Sequence, residues 1–213
     1  MAKIPFGILG NFIGTAGNVN GYVHNGQNFV RTRRRKSSRP MTANRLAQQE
    51  KFRVCAVFTK PFAGKGFFQK TFPAQGSSSS AFNRATSVIM NLGITGTYPA
   101  FSISYPQVLV SKGLLPGAKN ATATAQADGT ILFGWADNSD TGTARQSDKS
   151  VLLAYIPSLQ QIVFSFGKGS RGDGSAALDT ALYKGYVAET WMSFLTSDEL
   201  NAADSTYTGS IQL

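Results

Sequence analysis

The apolar positions of the chain follow two rhythms. Between residues 81 and 92 they fall at Ala81, Phe82, Ala85, Val88, Ile89 and Leu92, the spacing of one helix face. Ser79 or Ser80 stands where an N-cap is wanted, and Gly93 stands where the helix should end. An earlier run, "ANRLAQQEKFRVCAVF" at 43–58, is rich in helix formers, with Thr42 ahead of it as a cap and Pro61 behind it as a stop. The intervening "KPFAGKGFFQKTFP" holds four phenylalanines, but Gly64, Gly66 and Pro73 break any regular period. "AFSISYPQVLVS" is a strand candidate in which Pro106 implies an edge or a bulge.

Beyond Asn120 the rhythm becomes that of strands, at 120–126, 130–136, 149–156, 161–167, 176–183, 185–195 and 204–213. Asp128-Gly129, Asp137-Asn138 and Gly142 punctuate them. Ile131, Phe133 and Trp135 share one face of the second strand and, with Tyr155, are expected in a core. Seven short strands with an early tryptophan describe a small β-sandwich. The expected fold class is therefore mainly β with two helices (α+β). A basic hairpin-and-helix region is expected over 1–112 and the sandwich over 113–213.

The chain opens differently. "IPFGILGNFIGTAGNVNGYVHNGQNF", residues 4–29, holds six glycines. Asn25-Gly26, flanked by Tyr22, Val23, Phe29 and Val30, predicts a hairpin with a type I′ turn. A helix would lose about 0.5–1 kcal/mol for each glycine against alanine, so bent strands with close backbone approach fit this segment better.

Composition narrows the chemistry. There is one cysteine, Cys55, and one histidine, His24, which excludes a disulfide framework and the usual zinc ligand sets within one chain. Residues 4–30 are long enough to span a bilayer, but five asparagines and a glutamine argue against it. Without a leader pattern, the default expectation is a cytoplasmic protein. The alternative is membership of an extracellular or virus-like assembly released without a cleaved leader.

The net charge of +10 conceals a division. Residues 1–112 hold fifteen Lys or Arg and one acid, Glu50, for +14; residues 113–213 hold six against ten acids, for −4. The densest basic stretch is "RTRRRKSSR", residues 31–39. Such a split suggests a polyanion partner, or pairing with the acidic half of another copy, and the plainer reading of a solvated basic face stands beside it on even terms.

The C-terminal half resembles a fibronectin type III domain, with Trp135 at that fold's second-strand tryptophan and Tyr155 and Trp191 as further core aromatics. The whole chain resembles a family of Bacteroidota proteins known only as a domain of unknown function. The residues that carry this likeness are "GNVNGY", "FVR", "RLAQQEKF", "GTYPAFSISYPQVLVSKGLLPGA", "ILFGWADNSDTGTA", "DKSVLLAY" and "SRGDGSAAL". The resemblance brings no activity with it, and fold alone does not fix function.

No nucleotide-binding loop, nucleophile elbow or zinc-protease motif is present. Asp137, Asp140 and Asp148 flank one loop, a weak calcium pattern beside the simpler reading of turn-forming aspartates. "RGD" at 171–173 has the letters of an integrin ligand, but each residue is also expected in a glycine-rich turn. Cys55 reads as a core residue. No catalytic, cofactor or metal residue is assigned, and no small-molecule substrate is expected.

Two functions are then expected. The first is a non-enzymatic subunit that assembles with its own copies into a filament, tube or shell. Its Gly-rich start would do this, with Phe6, Ile8, Phe12 and Ile13 filling apolar pockets on a neighbour. The alternative is nucleic-acid binding, or a coat that encloses nucleic acid, using Arg31, Arg33, Arg34, Arg35, Lys36 and Arg39.

Overall fold

The hairpin signal near residue 25 is realised as an antiparallel pair. Strand β2 (Val19–His24) pairs with β3 (Gln27–Thr32) from Val19↔Thr32 to His24↔Gln27. Gly26 takes φ 75°, as a tight turn requires. A short β1 (Gly14–Ala16) adds on the other side of β2, giving the order β1-β2-β3. The computed structural model describes residues 12–24, 26–34, 40–73 and 78–213, and the chain divides into two compact units, Met1–Thr42 and Ala43–Leu213.

In the second unit every one of the seven expected strand regions carries a strand. These are β6 (Lys119–Ala125), β7 (Thr130–Ala136), β8 (Lys149–Ile156), β9 (Gln161–Ser170), β10 (Ser175–Asp179), β11 (Val187–Leu195) and β12 (Thr206–Gln212). They make two antiparallel sheets, ordered β10-β7-β6 and β12-β11-β8-β9. Ile131, Phe133 and Trp135 of β7 form one apolar cluster with Leu152, Ala154 and Ile156 of β8 and Met192 and Phe194 of β11.

The four-stranded sheet is buried on its other face as well. Val151, Leu153 and Tyr155 of β8, with Trp191 and Leu195 of β11, join a second cluster with the helical residues. Helix α1 (Ala43–Thr59) supplies Cys55 and Phe58, and a single 3-10 turn at Lys60–Phe62 supplies Phe62. Helix α2 (Phe67–Thr71) supplies Phe67 and Phe68, and α3 (Ala81–Leu92) supplies Ala85 and Ile89. Phe58 meets Tyr155 edge-on, with ring centroids 4.9 Å apart. The Trp191 indole donates to the Val108 carbonyl at 3.1 Å. Tyr155 is thus buried as expected, but on the helical side of its sheet.

Three differences from the sequence reading follow from this layer. The described residues hold three α-helices, not two, since the phenylalanine-rich stretch contributes α2. The strand candidate after Pro99 is only β5 (Ala100–Ile103), paired with an unforeseen β4 (Ile94–Thr97). The compact units part at Thr42 and Ala43, not near Gly113, because residues 43–110 supply one side of the core built on β8 and β11. Among the described residues, no helix is long and apolar enough to cross a membrane.

Candidate functional site

The expected binding residues that are described, Phe12, Ile13, Arg31, Arg33 and Arg34, lie in or beside the N-terminal sheet. Side chains on a strand alternate between faces, and the register assigns each one. One face carries Val19 and Val23 of β2 with Val30 of β3, of which Val30 is 65% exposed. The other carries Tyr22 directly opposite Phe29, with Arg31 and His24 diagonal to them. Apolar and basic-aromatic residues are therefore sorted onto opposite sides by the alternation alone.

On the second face the planar groups form a row. The Arg31 guanidinium lies over the Tyr22 ring at 5.1 Å from its centroid. Tyr22 stacks on Phe29 with centroids 5.6 Å apart and 21° between the planes, and Phe29 meets His24 at 6.4 Å. All six residues of β3 are exposed. Arg33 and Arg34 follow it, also exposed, and the Arg33 amide donates to the Asn18 carbonyl at 2.7 Å, tying the strand's end back to β2. From residue 12 to residue 34 there is no acidic side chain.

Of the expected assembly residues, Phe12 and Ile13 lie just before β1, and Ile13 is 43% exposed. Phe6 and Ile8 lie outside the described residues. Phe12 explains one glycine: a Cβ on Gly21 would stand 2.2 Å from the Phe12 carbonyl oxygen. Only glycine permits that approach, which is the close backbone contact expected of this segment. Of the basic residues, Arg31, Arg33 and Arg34 sit on or just after β3, while Arg35, Lys36 and Arg39 lie outside the described residues, as does Asn25.

The remaining sequence candidates have structural work. Arg171 of the "RGD" turn is fully buried. Its Nε bonds Asp148 at 3.0 Å, its other nitrogens bond Asn138 Oδ1 at 2.6 Å and the Pro116 carbonyl at 2.9 Å, and its plane lies 3.9 Å from the Phe194 centroid. The Trp135 indole closes the set by donating to the Arg171 carbonyl at 2.8 Å. Burial pulls the guanidinium below its ordinary pKa, and the Asp148 hydrogen bond and charge oppose that pull. Asp148 is thereby committed to Arg171, Asp137 accepts from the Ser139 amide at 2.9 Å, and the calcium pattern does not converge. Among the described residues, no three His, Cys, Asp or Glu side chains gather to hold a metal ion. Burial pushes the Cys55 thiol up to about 11, the opposite of an activated nucleophile.

The sequence reading missed Tyr22 as a partner of Phe29 and Arg31. A signal was present: a two-residue turn at 25–26 places His24 opposite Gln27, and hence Tyr22 opposite Phe29.

A family of unknown function (DUF6266) has a profile that matches residues 11–209, nearly the whole chain. The chain belongs to this family. The match begins at Asn11, so the DUF6266 region takes in the N-terminal sheet as well as the second unit. No curated protein matches the chain. Family membership therefore places no activity on any residue, and the chemistry of the surface has to carry the reading.

Proposed function

We propose that this protein is a non-enzymatic structural subunit that assembles with copies of itself, through its glycine-rich N-terminal segment, into a filament, tube or shell. The observation that carries the reading is the exposed apolar face of Val19, Val23 and Val30 on a three-stranded sheet. A sheet this small needs a surface to cover it, and among the described residues no strand pairs with the outer edge of β3, to which a further strand can add. The charge division of the sequence supports a neighbour of the same kind, basic half against acidic half. A head-to-tail contact of that type propagates unless its rotation closes a ring.

The second unit suits a spacing role. Its first, second and fifth strands form one sheet and the other four form the second, a division that supports the fibronectin III-like sandwich reading. Deleting residues 1–20 tests assembly. Full-length protein should sediment as a concentration-dependent oligomer, and the truncated chain, which lacks β1 and the start of β2, should stay monomeric while circular dichroism shows the second unit still folded. A full-length chain that remains monomeric at high concentration and at every salt level defeats the reading.

A second reading, polyanion binding by the basic cluster, is favoured by Arg31, Arg33 and Arg34 standing exposed with no acid among residues 12–34. Its test is a binding constant that falls steeply with salt, and a slope that flattens when these arginines become serine.

A further inference from the structure

The sequence alone separates arginines from aromatics, but the register of the sheet brings them together. Arg31, Tyr22, Phe29 and His24 form one row of planar groups on one face, and Tyr22 and Phe29 are 37% and 39% exposed. Arg33 and Arg34 continue from the end of β3, and no carboxylate lies between residues 12 and 34. A face with two adjacent rings and a cationic border has two complementary halves. The rings suit flat, unpaired π surfaces, and the guanidiniums suit a chain of phosphates. Among polyanions only a single-stranded nucleic acid offers both. A duplex hides its base faces, and a polyphosphate or sulfated sugar has none.

We propose that the Tyr22–Phe29 face of the N-terminal sheet binds single-stranded nucleic acid. Unpaired bases stack on the two rings, while Arg31, Arg33 and Arg34 hold the phosphates. The site rests on the polyanion reading of the basic cluster, and it leaves the opposite face, with Val19, Val23 and Val30, available to a neighbouring copy. Stacking tolerates any base, so the surface binds without a sequence code.

The test is fluorescence anisotropy on the full chain with a labelled oligothymidylate of about 16 nucleotides. A duplex of equal length and inorganic polyphosphate serve as competitors. The oligothymidylate should bind more tightly than the duplex and resist displacement by polyphosphate at matched charge. Tyr22→Leu with Phe29→Leu, which keeps apolar bulk but removes the flat rings, should weaken binding by about tenfold or more. The salt slope should stay where it was. Tyr22→Trp with Phe29→Trp should restore affinity, which shows that the leucine variant lost stacking and not its fold. Replacing Arg31, Arg33 and Arg34 with serine should instead flatten the slope, by about 0.7 for each phosphate that is no longer neutralised. Polyphosphate that competes as well as the oligonucleotide, or a leucine variant that binds normally, overturns the stacking site and leaves the polyanion reading standing. No binding to any of the three probes at low salt overturns both.

Discussion

Two arginines in this chain each lie over an aromatic ring, and they do opposite things. Arg171 sits 3.9 Å from the Phe194 centroid with no exposed surface, and a carboxylate, an amide oxygen and a carbonyl use its nitrogens. Arg31 sits 5.1 Å from the Tyr22 centroid on an exposed strand, where no acid precedes or follows it within residues 12–34. The first is a cation whose nitrogens the fold uses; the second stands on an exposed strand. Burial, not residue type or motif, separates the two. The tripeptide with the suggestive letters is the structural one.

This contrast is sharpest in stability. Arg171→Ala leaves Asp148 as a buried carboxylate with its partner removed, and should cost about 3–5 kcal/mol in chemical denaturation. Adding Asp148→Asn should recover part of that loss, because the stranded charge is gone. Arg31→Ala should change the same midpoint by no more than about 0.5 kcal/mol. An Arg31 variant as damaging as the Arg171 variant would end the comparison.

A smaller effect is expected at the helical layer. The Ser80 side chain accepts the Asn83 amide at 3.2 Å as the N-cap of α3, so Ser80→Ala should cost about 1 kcal/mol. Cys55 gives a check without mutation. With its thiol buried and raised to about 11, it should resist alkylation at neutral pH until denaturant is added, read by mass spectrometry.

The slightest effect concerns pH. Hydrogen bonds from Lys149 and Lys70 hold the Glu199 carboxyl below its ordinary value of 4.5. A carboxyl lowered on folding stabilises the folded state fully above its unfolded value and loses that contribution as pH falls through its folded value. Glu199→Gln should therefore be less stable than wild type at neutral pH, and the gap should close in acid. A gap that widens on acidification would put the sign wrong.

The strands of the second unit were legible because turn residues separate them and because β7 alternates cleanly at Ile131, Phe133 and Trp135. The hairpin was legible for the same reason, through two residues of turn chemistry. What stayed hidden was tertiary. Helix α2 is five residues long, too short for a period to register, and only its packing makes Phe67 and Phe68 core. The "VLLAYI" run of β8 held a clue, since an unbroken apolar strand signals burial on both faces. Which face Tyr155 would take depends on a helical layer that strand patterning cannot see. The basic cluster was legible as charge, but its aromatic partners came from register. Arg171 was legible as a turn residue, and the turn is there, with Ser170 and Asp173 forming a capping box. Its burial depends on Asp148 and Asn138, 23 and 33 residues away along the chain.

Strands β8 and β11 lie between two apolar clusters, and this sets how the second unit opens. Leu152 and Met192 belong to one cluster while Leu153 and Trp191 belong to the other, so neither layer can peel away without baring a face of the central strands. Backbone amides of β8 and β11 should consequently exchange with deuterated solvent only when the whole unit unfolds, while those of β3 and the β4–β5 pair exchange far sooner. A chain cut at residue 112, where the sign of the charge changes, would strip the phenylalanine layer from Val151, Leu153, Tyr155 and Trp191. The fragment left behind would carry a bare sheet of aromatic and aliphatic side chains, a surface that aggregates. A cut at Ala43 spares that sheet.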